Sequence, residues 1–540
     1  MSSTLAPSTL SPNNPITPQA VREILTNNLK VPSTSASLSE KNVEDYTSLL
    51  TGIWEIWNRI DTEEEDYVPP VNEDRYPRKN IRKPEGEENK YNAWAWKVDL
   101  EDAQKKSGKG LLEGKTICLK DTVAVKGVPC LVGTEAIENW TPNTDATIVT
   151  RILEAGGKIT GKAVCENLSL WGVSCSANTG PVSNIHAAGF SAGGSSSGTG
   201  VLVGRGEVDL GIGGCQGGSI RIPSSVNGIV GMKPTHGLVP YTGVVGMEPI
   251  LDHVGPMTRT VLDNALFLQA IAGYDGIDDR STAGCPSPSQ IPNYPELAQQ
   301  GIKGFKIGVI TESLNRPLAD KRVSELVVKA AEKLKELGAE VVEEVSIPEH
   351  TLGPDLWAVI GRLGATKSIL GESNGRRCLA MNDLTEKLLP IKGEKVDKLF
   401  CSGTNTLING IWGWENMPPT LMGKTINLIR KMRDAYNTAL GKYDVLITPT
   451  LPMLATKLPS PDASIRELME NAAGVSLNTS AFNLTGLPAL SLPVGFLPSL
   501  VDGTTQLPVG MQIISKNYGE VEIYKAAYAW ESGIDWKSFA

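Results

Sequence analysis

Apolar residues recur at helical spacing in two segments near the start of the chain. In residues 18–30 and 40–60, apolar side chains return every three or four positions, as on one face of a helix. Thr17 and Ser39 precede these segments, and a hydroxyl at that place caps the first backbone amides of a helix. The pattern therefore predicts two N-terminal helices. Residues 1–16 are rich in Ser, Thr, Pro and Asn, and they are expected to form a flexible tail.

Further along the chain, the pattern changes to alternating strands and helices. Residues 61–90 are acidic and then proline-bearing, which predicts a long connector. A strand at 115–119, a helix at 145–155 and a strand at 157–164 follow. Alternation of this kind is typical of an α/β fold. It continues with a strand at 305–310, a helix at 321–337, a strand at 340–345, a helix at 424–440 and a strand at 445–448.

Composition limits the kinds of partner that the protein can be expected to bind. The 540 residues are 40% hydrophobic and 21% charged, which is ordinary for a soluble globular chain with a large core. The net charge of -9 gives no electrostatic reason to expect nucleic acid or an anionic membrane as partner. A small-molecule substrate is therefore expected, with no nucleic acid and no membrane.

Cysteine usage and the start of the chain bear on the compartment. The eight cysteines form no CxxC pair, and this favours reduced thiols. The N-terminus lacks the basic start and apolar stretch of a secretory signal, and no window of about 18 uninterrupted apolar residues occurs. We therefore expect a cytoplasmic protein. No HExxH motif occurs, and no Gly-Lys-Ser/Thr follows the glycine-rich loops as a phosphate-binding loop requires, so neither a metal nor a cofactor is predicted.

One serine stands directly after a run of small residues. Ser219 ends the sequence GGCQGGS, which begins at Gly213. The backbone amides of residues such as Gln216, Gly217 and Gly218 can converge on a reacting carbonyl, and converging amides stabilise an oxyanion. The alternative interpretation is a tight glycine turn with a capping serine.

A serine nucleophile needs an adjacent base, and a lysine is the better candidate here. The four histidines lie in no recognisable triad motif. Lys120 ends an apolar strand, where burial lowers the pKa of an amine and leaves it able to accept a proton. The alternative is a solvated strand end, with Asp121 as a salt-bridge or loop-capping group. Ser195, within GGSSSG and 24 residues before Ser219, completes a possible proton relay of two serines and a lysine.

Two further features of the sequence are interpreted as structural and not as parts of a catalytic site. Residues 189–193 and 194–198 both match G-x-S-x-G, the nucleophile elbow of α/β-hydrolases. That elbow follows a buried strand, and residues 184–188 do not predict one. Tryptophans are predicted to pack in the core, and the alternative is that they line an apolar substrate pocket; they include Trp54, Trp57, Trp94, Trp96, Trp412 and Trp414.

Three features of the sequence together resemble the amidase signature family. They are the lysine after an apolar strand, GGSSSG at 193–198 and GGSIRIP at 217–223. The resemblance covers roughly residues 110–270 and 440–530. Segments 1–95 and 275–440 match the family motifs poorly, and substrate contacts are expected there. The resemblance continues through NGIVGMKPT at 227–235, HVGPMTR at 253–259, FNLTGLPA at 482–489 and PVGMQ at 508–512.

This resemblance implies a fold and a set of roles. The expected fold is a single large α/β domain over 96–540, with a mixed central β-sheet covered by α-helices on both faces. An N-terminal helical extension and connector would occupy 17–95. The implied site is a Ser-cisSer-Lys triad, with Ser219 as nucleophile, Ser195 as bridging serine after a cis peptide bond, and Lys120 as base. The amides around Gln216, Gly217 and Gly218 would hold the oxyanion, and a homodimer is expected.

The implied activity is hydrolysis of linear amides, small aliphatic or aryl, to a carboxylic acid and ammonia. A carbamate hydrolase, an esterase or an acyl transferase is the alternative within enzymes, and a silent amidase-fold binding protein is the alternative outside them.

The sequence departs from the family at Cys215, where an acidic or polar residue commonly stands, and at Asn227, where cysteine is frequent. The change at Cys215 predicts a looser oxyanion loop.

Overall fold

The chain divides into two compact units between Val68 and Pro69. The computed structural model describes residues 11–104, 110–282, 284–372 and 375–539. Of the predicted tail, residues 1–10 lie outside the described residues. Residues 11–16 form no helix or strand, and the Ser11 amide and Asn14 side chain both donate hydrogen bonds to Glu55 within the first unit.

The two predicted N-terminal helices are present in the first unit. Helix α1 (Pro18–Glu23) continues as a π-helical turn (Ile24–Asn28), and helix α2 spans Glu40–Glu63. The Thr17 hydroxyl accepts a hydrogen bond from the Ala20 amide, and the Ser39 hydroxyl accepts one from the Asn42 amide. Both predicted caps are therefore confirmed.

The second unit is built on one mixed sheet, which confirms the predicted α/β fold class. Twelve strands belong to this sheet within the described part of the chain, in the order β1-β2-β4-β3-β5-β7-β6-β11-β12-β10-β8-β9. The strands are β1 (Arg78–Arg82), β2 (Trp94–Leu100), β3 (Thr116–Lys120), β4 (Lys158–Ala163), β5 (Leu210–Cys215), β6 (Val230–Lys233), β7 (His253–Thr258), β8 (Lys306–Ile310), β9 (Val341–Val345), β10 (Val445–Pro449), β11 (Ala489–Pro498) and β12 (Gln506–Ile514).

Helices connect these strands and pack along the sheet, where their apolar side chains meet those of the strands. None of the described helices is long and apolar enough to cross a membrane. They are α3 (Thr147–Glu154), α4 (Ser197–Gly204), α5 (Arg221–Asn227), α6 (Val261–Ile271), α7 (Tyr294–Ala298), α8 (Thr311–Leu314), α9 (Lys321–Glu336), α10 (Gly353–Val359), α11 (Ala365–Ile369), α12 (Asn382–Leu388), α13 (Glu394–Asp397), α14 (Cys401–Asn416), α15 (Leu421–Leu440), α16 (Ile465–Asn471), α17 (Ser480–Thr485) and α18 (Glu520–Gly533).

The predicted connector at 61–90 contains a strand that the apolar pattern did not indicate. Strand β1 pairs antiparallel with β2, so the sheet begins before residue 96. The sequence of β1, RKNIR, is polar, and most of its residues are exposed. An edge strand is solvated along one side, so it lacks the apolar periodicity by which a buried strand is recognised.

Two central parallel strands determine where the candidate site lies. Strands β3 and β5 are neighbours, with Ile117 opposite Leu210 and Leu119 opposite Ile212. Because parallel strands end at the same edge of a sheet, the segments that follow them start close together. Lys120 is the last residue of β3, and the loop that carries Ser219 follows β5.

Candidate active site

Lys120 and Ser195 are in direct contact at the carboxyl end of β3. Lys120 Nζ donates hydrogen bonds to Ser195 Oγ at 2.7 Å and to the Gly214 carbonyl at 3.2 Å. Both side chains are fully buried, and burial lowers the pKa of Lys120 from 10.5 to about 8. The interpretation of Lys120 as a solvated strand end is therefore wrong. An amine with this pKa is about one-tenth neutral at pH 7, and the neutral form can accept a proton from the serine.

The neighbouring acid, Asp121, both caps a loop and pairs with a different lysine. Its Oδ2 accepts hydrogen bonds from the amides of Leu131 at 2.8 Å and Val132 at 3.2 Å. Its Oδ1 lies 3.0 Å from Lys162 Nζ, and both side chains of this ion pair are buried. Asp121 is thus compensated by Lys162, so Lys120 has no carboxylate partner among the described residues to hold its proton.

The loop that carries Ser195 is fixed by a buried glutamate. The peptide bond between Gly194 and Ser195 is cis. The Glu166 amide donates to the Ser195 carbonyl at 3.1 Å, and Glu166 Oε1 accepts from Ser197 Oγ at 2.7 Å. The other oxygen, Oε2, accepts from the amide and hydroxyl of Ser176. Sequence reasoning missed Glu166; its signal is an acid just beyond β4, the strand that pairs with β3.

Ser219 reaches the same edge of the sheet on a glycine loop between β5 and α5. Its side chain lines a cavity of about 190 Å³ together with the loop residues Gln216, Gly217 and Gly218. The structure does not close the relay, because no hydrogen bond joins Ser219 Oγ to Ser195 Oγ within the described residues. In sites without substrate such contacts are often long, and they shorten when substrate binds.

Two side chains from distant segments anchor the carbonyl groups of this loop. Trp357 Nε1 donates to the Gln216 carbonyl at 2.8 Å, and Thr479 Oγ1 donates to the Gly217 carbonyl at 2.6 Å. In a trans peptide unit the N–H points opposite to the C=O, so the Gly217 and Gly218 amides point away from these anchors. Neither amide donates a hydrogen bond to protein in the part of the chain that the structure describes. Both are therefore available to an oxyanion.

Gly218 must be glycine for this loop to form. Its φ is +155°, and a Cβ at this position would lie 2.5 Å from Thr479 Oγ1. A side chain would therefore displace the hydroxyl that anchors the Gly217 carbonyl.

Cys215, the departure from the family pattern, is held by a buried polar network. Asn483 Nδ2 donates to the Cys215 carbonyl at 2.8 Å, and Arg221 Nη2 lies 3.6 Å from Cys215 Sγ. Burial by itself raises the pKa of this thiol, but the charge and hydrogen bond of Arg221, together with the Ile220 amide and the charge of Lys233, outweigh burial, and the pKa is lowered. Arg221 also donates to Asn483 Oδ1 and to Gln512 Oε1. This network connects Cys215 to α5, α17 and β12, and the looser loop expected from Cys215 stays a prediction.

The cavity beside Ser219 is mainly apolar, with walls that include Trp171, Met247 and Val475. A cavity of about 150 Å³ is enough to bind benzene, so about 190 Å³ accommodates one aryl ring or a short aliphatic chain. Trp357 and Arg362 also line it, and both come from the segment 275–440, where substrate contacts were expected.

No group of three or more His, Cys, Asp or Glu side chains is placed to hold a metal ion in the described ranges.

The tryptophan prediction is correct in part. Trp94 is buried in the core, whereas Trp57 and Trp412 are 60% and 58% exposed. The two tryptophans of the cavity, Trp171 and Trp357, were not singled out from the sequence. Nothing in their local sequence distinguishes them, because their positions relative to Ser219 depend on how remote segments pack.

One mixed sheet with helices, a buried Lys–Ser pair and a serine on an adjacent glycine loop are the arrangement expected of the amidase class. The family model described as Amidase matches residues 88–524, and the chain belongs to this amidase signature family. The protein is an amidase-signature hydrolase.

Known relatives of the chain include both hydrolases and amidotransferase components. An enantioselective amidase of Rhodococcus rhodochrous is 38% identical over 432 residues, which cover 79% of this chain and 80% of the relative. The A-type subunit of the glutamyl-tRNA(Gln) amidotransferase of Moorella thermoacetica is 33% identical over 434 residues, 79% of this chain and 84% of the relative. The crystal structure of the corresponding protein from Thermotoga maritima superposes with a TM-score of 0.65 at 28% identity, over 82% of this chain and 88% of that one.

Proposed function

We propose that the protein hydrolyses linear amides, small aliphatic or aryl, to a carboxylic acid and ammonia through an acyl-enzyme on Ser219. The observation that carries this proposal is the 2.7 Å hydrogen bond between Lys120 and Ser195, at the sheet edge that Ser219 also reaches. A buried amine with a lowered pKa is the base that a serine nucleophile needs. The apolar cavity of about 190 Å³ fits a small acyl group.

In the proposed mechanism, protons pass between the three side chains. Ser219 Oγ attacks the amide carbonyl and gives its proton to Ser195 Oγ, while Ser195 gives its own proton to neutral Lys120. The amides of Gly217 and Gly218 stabilise the oxyanion that forms. The proton on Lys120 then returns through Ser195 to the leaving nitrogen, and the C–N bond breaks. Water attacks the acyl-enzyme by the same relay and releases the acid.

A second candidate is acyl transfer, in which an amine or hydroxylamine takes the acyl group from Ser219 in place of water. The 33% identity to an amidotransferase component supports it. Carbamates and esters are further candidates, because a serine with an oxyanion loop attacks any of these carbonyls. Hydrolysis of small amides accounts best for a small apolar cavity next to Ser219.

Ammonia or amine release from a panel of substrates tests the proposal. The panel contains aliphatic amides, aryl amides, glutamine, carbamates and esters, each with and without added hydroxylamine. We expect release from aliphatic or aryl amides by the intact protein and none above background by Ser219→Ala. Formation of hydroxamate faster than the acid would favour the acyl transferase.

Ser224→Ala is the matched control for this experiment. It removes another buried hydroxyl, five residues along the chain, which donates only to the Ile220 carbonyl one helical turn earlier. This variant should keep the activity of the intact protein. Equal release by Ser219→Ala and the intact protein would reject Ser219 as nucleophile, and no release from any substrate would reject the hydrolase.

A further inference from the structure

Arg362 is the one charged side chain among the described residues that line the Ser219 cavity. Most of its neighbours in the wall are apolar or small, among them Trp171, Met247 and Val475, and none of the described ones is an acid. A guanidinium that is partly withdrawn from water is costly unless an anion or several acceptors compensate it. A charged group in this wall therefore needs a partner.

Arg362 lines the same cavity as a residue that anchors the oxyanion loop. Between α10 and α11 the chain forms a π-helical turn, Ile360–Gly364, and such turns are frequent at functional sites. Trp357 precedes this turn in α10, and Arg362 lies within it. Both residues line the cavity, and Trp357 Nε1 donates a hydrogen bond to the Gln216 carbonyl. Arg362 therefore belongs to the wall of the cavity that the oxyanion loop also lines.

The protein itself leaves most of the hydrogen-bonding capacity of Arg362 unused. Nη1 donates to Thr406 Oγ1, and no other acceptor and no carboxylate pairs with the guanidinium within the described residues. Glu248 packs against Gly364 but makes no ion pair with Arg362. Burial lowers the pKa of Arg362, and no neighbouring acid offsets it. By contrast, the buried Arg280 pairs with both Asp252 and Asp278.

We propose that Arg362 binds a carboxylate carried by the substrate, so that the preferred substrates are amides with a carboxylate at the far end, such as monoamides of dicarboxylic acids. This inference rests on the proposed amide hydrolysis at Ser219. A guanidinium binds a carboxylate through two charge-assisted hydrogen bonds, which also orient the ligand. The chain has a net charge of -9, so attraction of an anionic substrate is due to this local cation and not to the overall field.

Matched pairs of amides test the inference. Succinamate is compared with butanamide, glutaramate with pentanamide, and 4-carbamoylbenzoate with 4-methylbenzamide; within each pair a methyl replaces the carboxylate. We expect the intact protein to show a kcat/KM about 10-fold to 100-fold higher for the carboxylated member of at least one pair. Arg362→Gln should remove this preference, so that the ratio of kcat/KM between the two members of the pair falls to about one.

Two further variants separate recognition from structural damage. Arg362→Lys keeps the positive charge without the two-pronged geometry, so it should keep part of the preference. Arg316→Gln makes the same change in another buried arginine without an ion pair among the described residues, which lines a separate cavity that lacks Ser219. It should keep the full preference. Equal loss of activity on both members of every pair in Arg362→Gln would assign Arg362 a purely structural role and overturn the inference.

A binding measurement distinguishes failure of this inference from failure of the proposed function. Calorimetric titration of succinamate, glutaramate and 4-carbamoylbenzoate into Ser219→Ala requires no turnover. We expect at least one of them to bind Ser219→Ala at least about tenfold more tightly than its neutral partner, and Ser219→Ala/Arg362→Gln should lose this difference. Binding without turnover by the intact protein would reject amide hydrolysis and keep the carboxylate site. Equal binding of carboxylated and neutral members would overturn the site.

Discussion

At the scale of single residues, burial is what turns an ordinary lysine into a possible base. Lys120 has no exposed surface, and among the described residues its one side-chain hydrogen-bond partner is the hydroxyl of Ser195. The nearest acid along the chain, Asp121, is compensated by Lys162. Desolvation outweighs the weaker attraction of acids that make no ion pair with Lys120, such as Glu166 and Asp252, so the pKa is lowered to about 8.

We predict that kcat/KM for a neutral amide rises with pH through about 8. The ammonium form of Lys120 cannot accept a proton, and it dominates below this pKa. Activity should therefore fall about tenfold for each pH unit below about 7 and level off above about 9. The measurement is kcat/KM between about pH 5.5 and 10 on a substrate that does not titrate. A profile that is flat across this window would contradict Lys120 as the base.

At the scale of elements, the loop between β5 and α5 depends on two segments far away in the chain. Trp357 in α10 and Thr479, the residue before α17, bond successive carbonyls of the loop. Asn483 in α17 bonds the Cys215 carbonyl at the start of the loop. The orientation of the oxyanion amides is thus set by tertiary packing of α10 and α17.

We predict that Thr479→Val lowers kcat about 10-fold to 100-fold with a smaller change in KM, because the Gly217 carbonyl loses its anchor and the Gly218 amide loses its orientation. Thr485→Val is the matched control. It removes a buried hydroxyl from the same region that bonds only the Ala481 carbonyl of its own helix. The measurement is the steady-state kinetics of both variants, and thermal unfolding compares their stability. Equal kcat for the two variants would argue against the anchor.

At the scale of the whole molecule, the site belongs entirely to the second compact unit. All twelve described strands, Lys120, Ser195, Ser219 and the anchors of the oxyanion loop follow Pro69. The family model likewise starts at residue 88. The helices of the first unit contribute no side chain to the described cavity at Ser219.

We predict that a chain beginning at Pro69 folds and keeps a kcat/KM comparable to that of the full chain on small amides. The physical reason is that the second unit contains the complete sheet and its core. Circular dichroism measures whether the shortened chain is folded, and amide hydrolysis measures its activity. Ser219→Ala in the same shortened chain is the control. A soluble and folded but inactive product would show that the first unit contributes to catalysis.

The strand–helix–strand pattern and the glycine and serine motifs can each be recognised from a short run of sequence. The elements predicted from them agree with the structure where the segments are buried. Strand β3, strand β4 and helix α9 lie within one or two residues of their predicted bounds, because their apolar periodicity follows directly from burial. Strand β1 was missed because a polar edge strand carries no such signal. The cis bond before Ser195 was expected only from the family resemblance.

By itself, the sequence determined the α/β class, the buried strand that ends at Lys120, and the two glycine loops that carry Ser195 and Ser219. Each of these depends on a short run of residues, so local periodicity and motif are sufficient. Tertiary structure alone decided that Glu166 fixes the Ser195 loop, that Trp357 and Thr479 orient the oxyanion amides, and that Arg362 faces the cavity. These contacts join residues separated by tens to hundreds of positions, and only packing of the whole sheet and its helices brings such residues together.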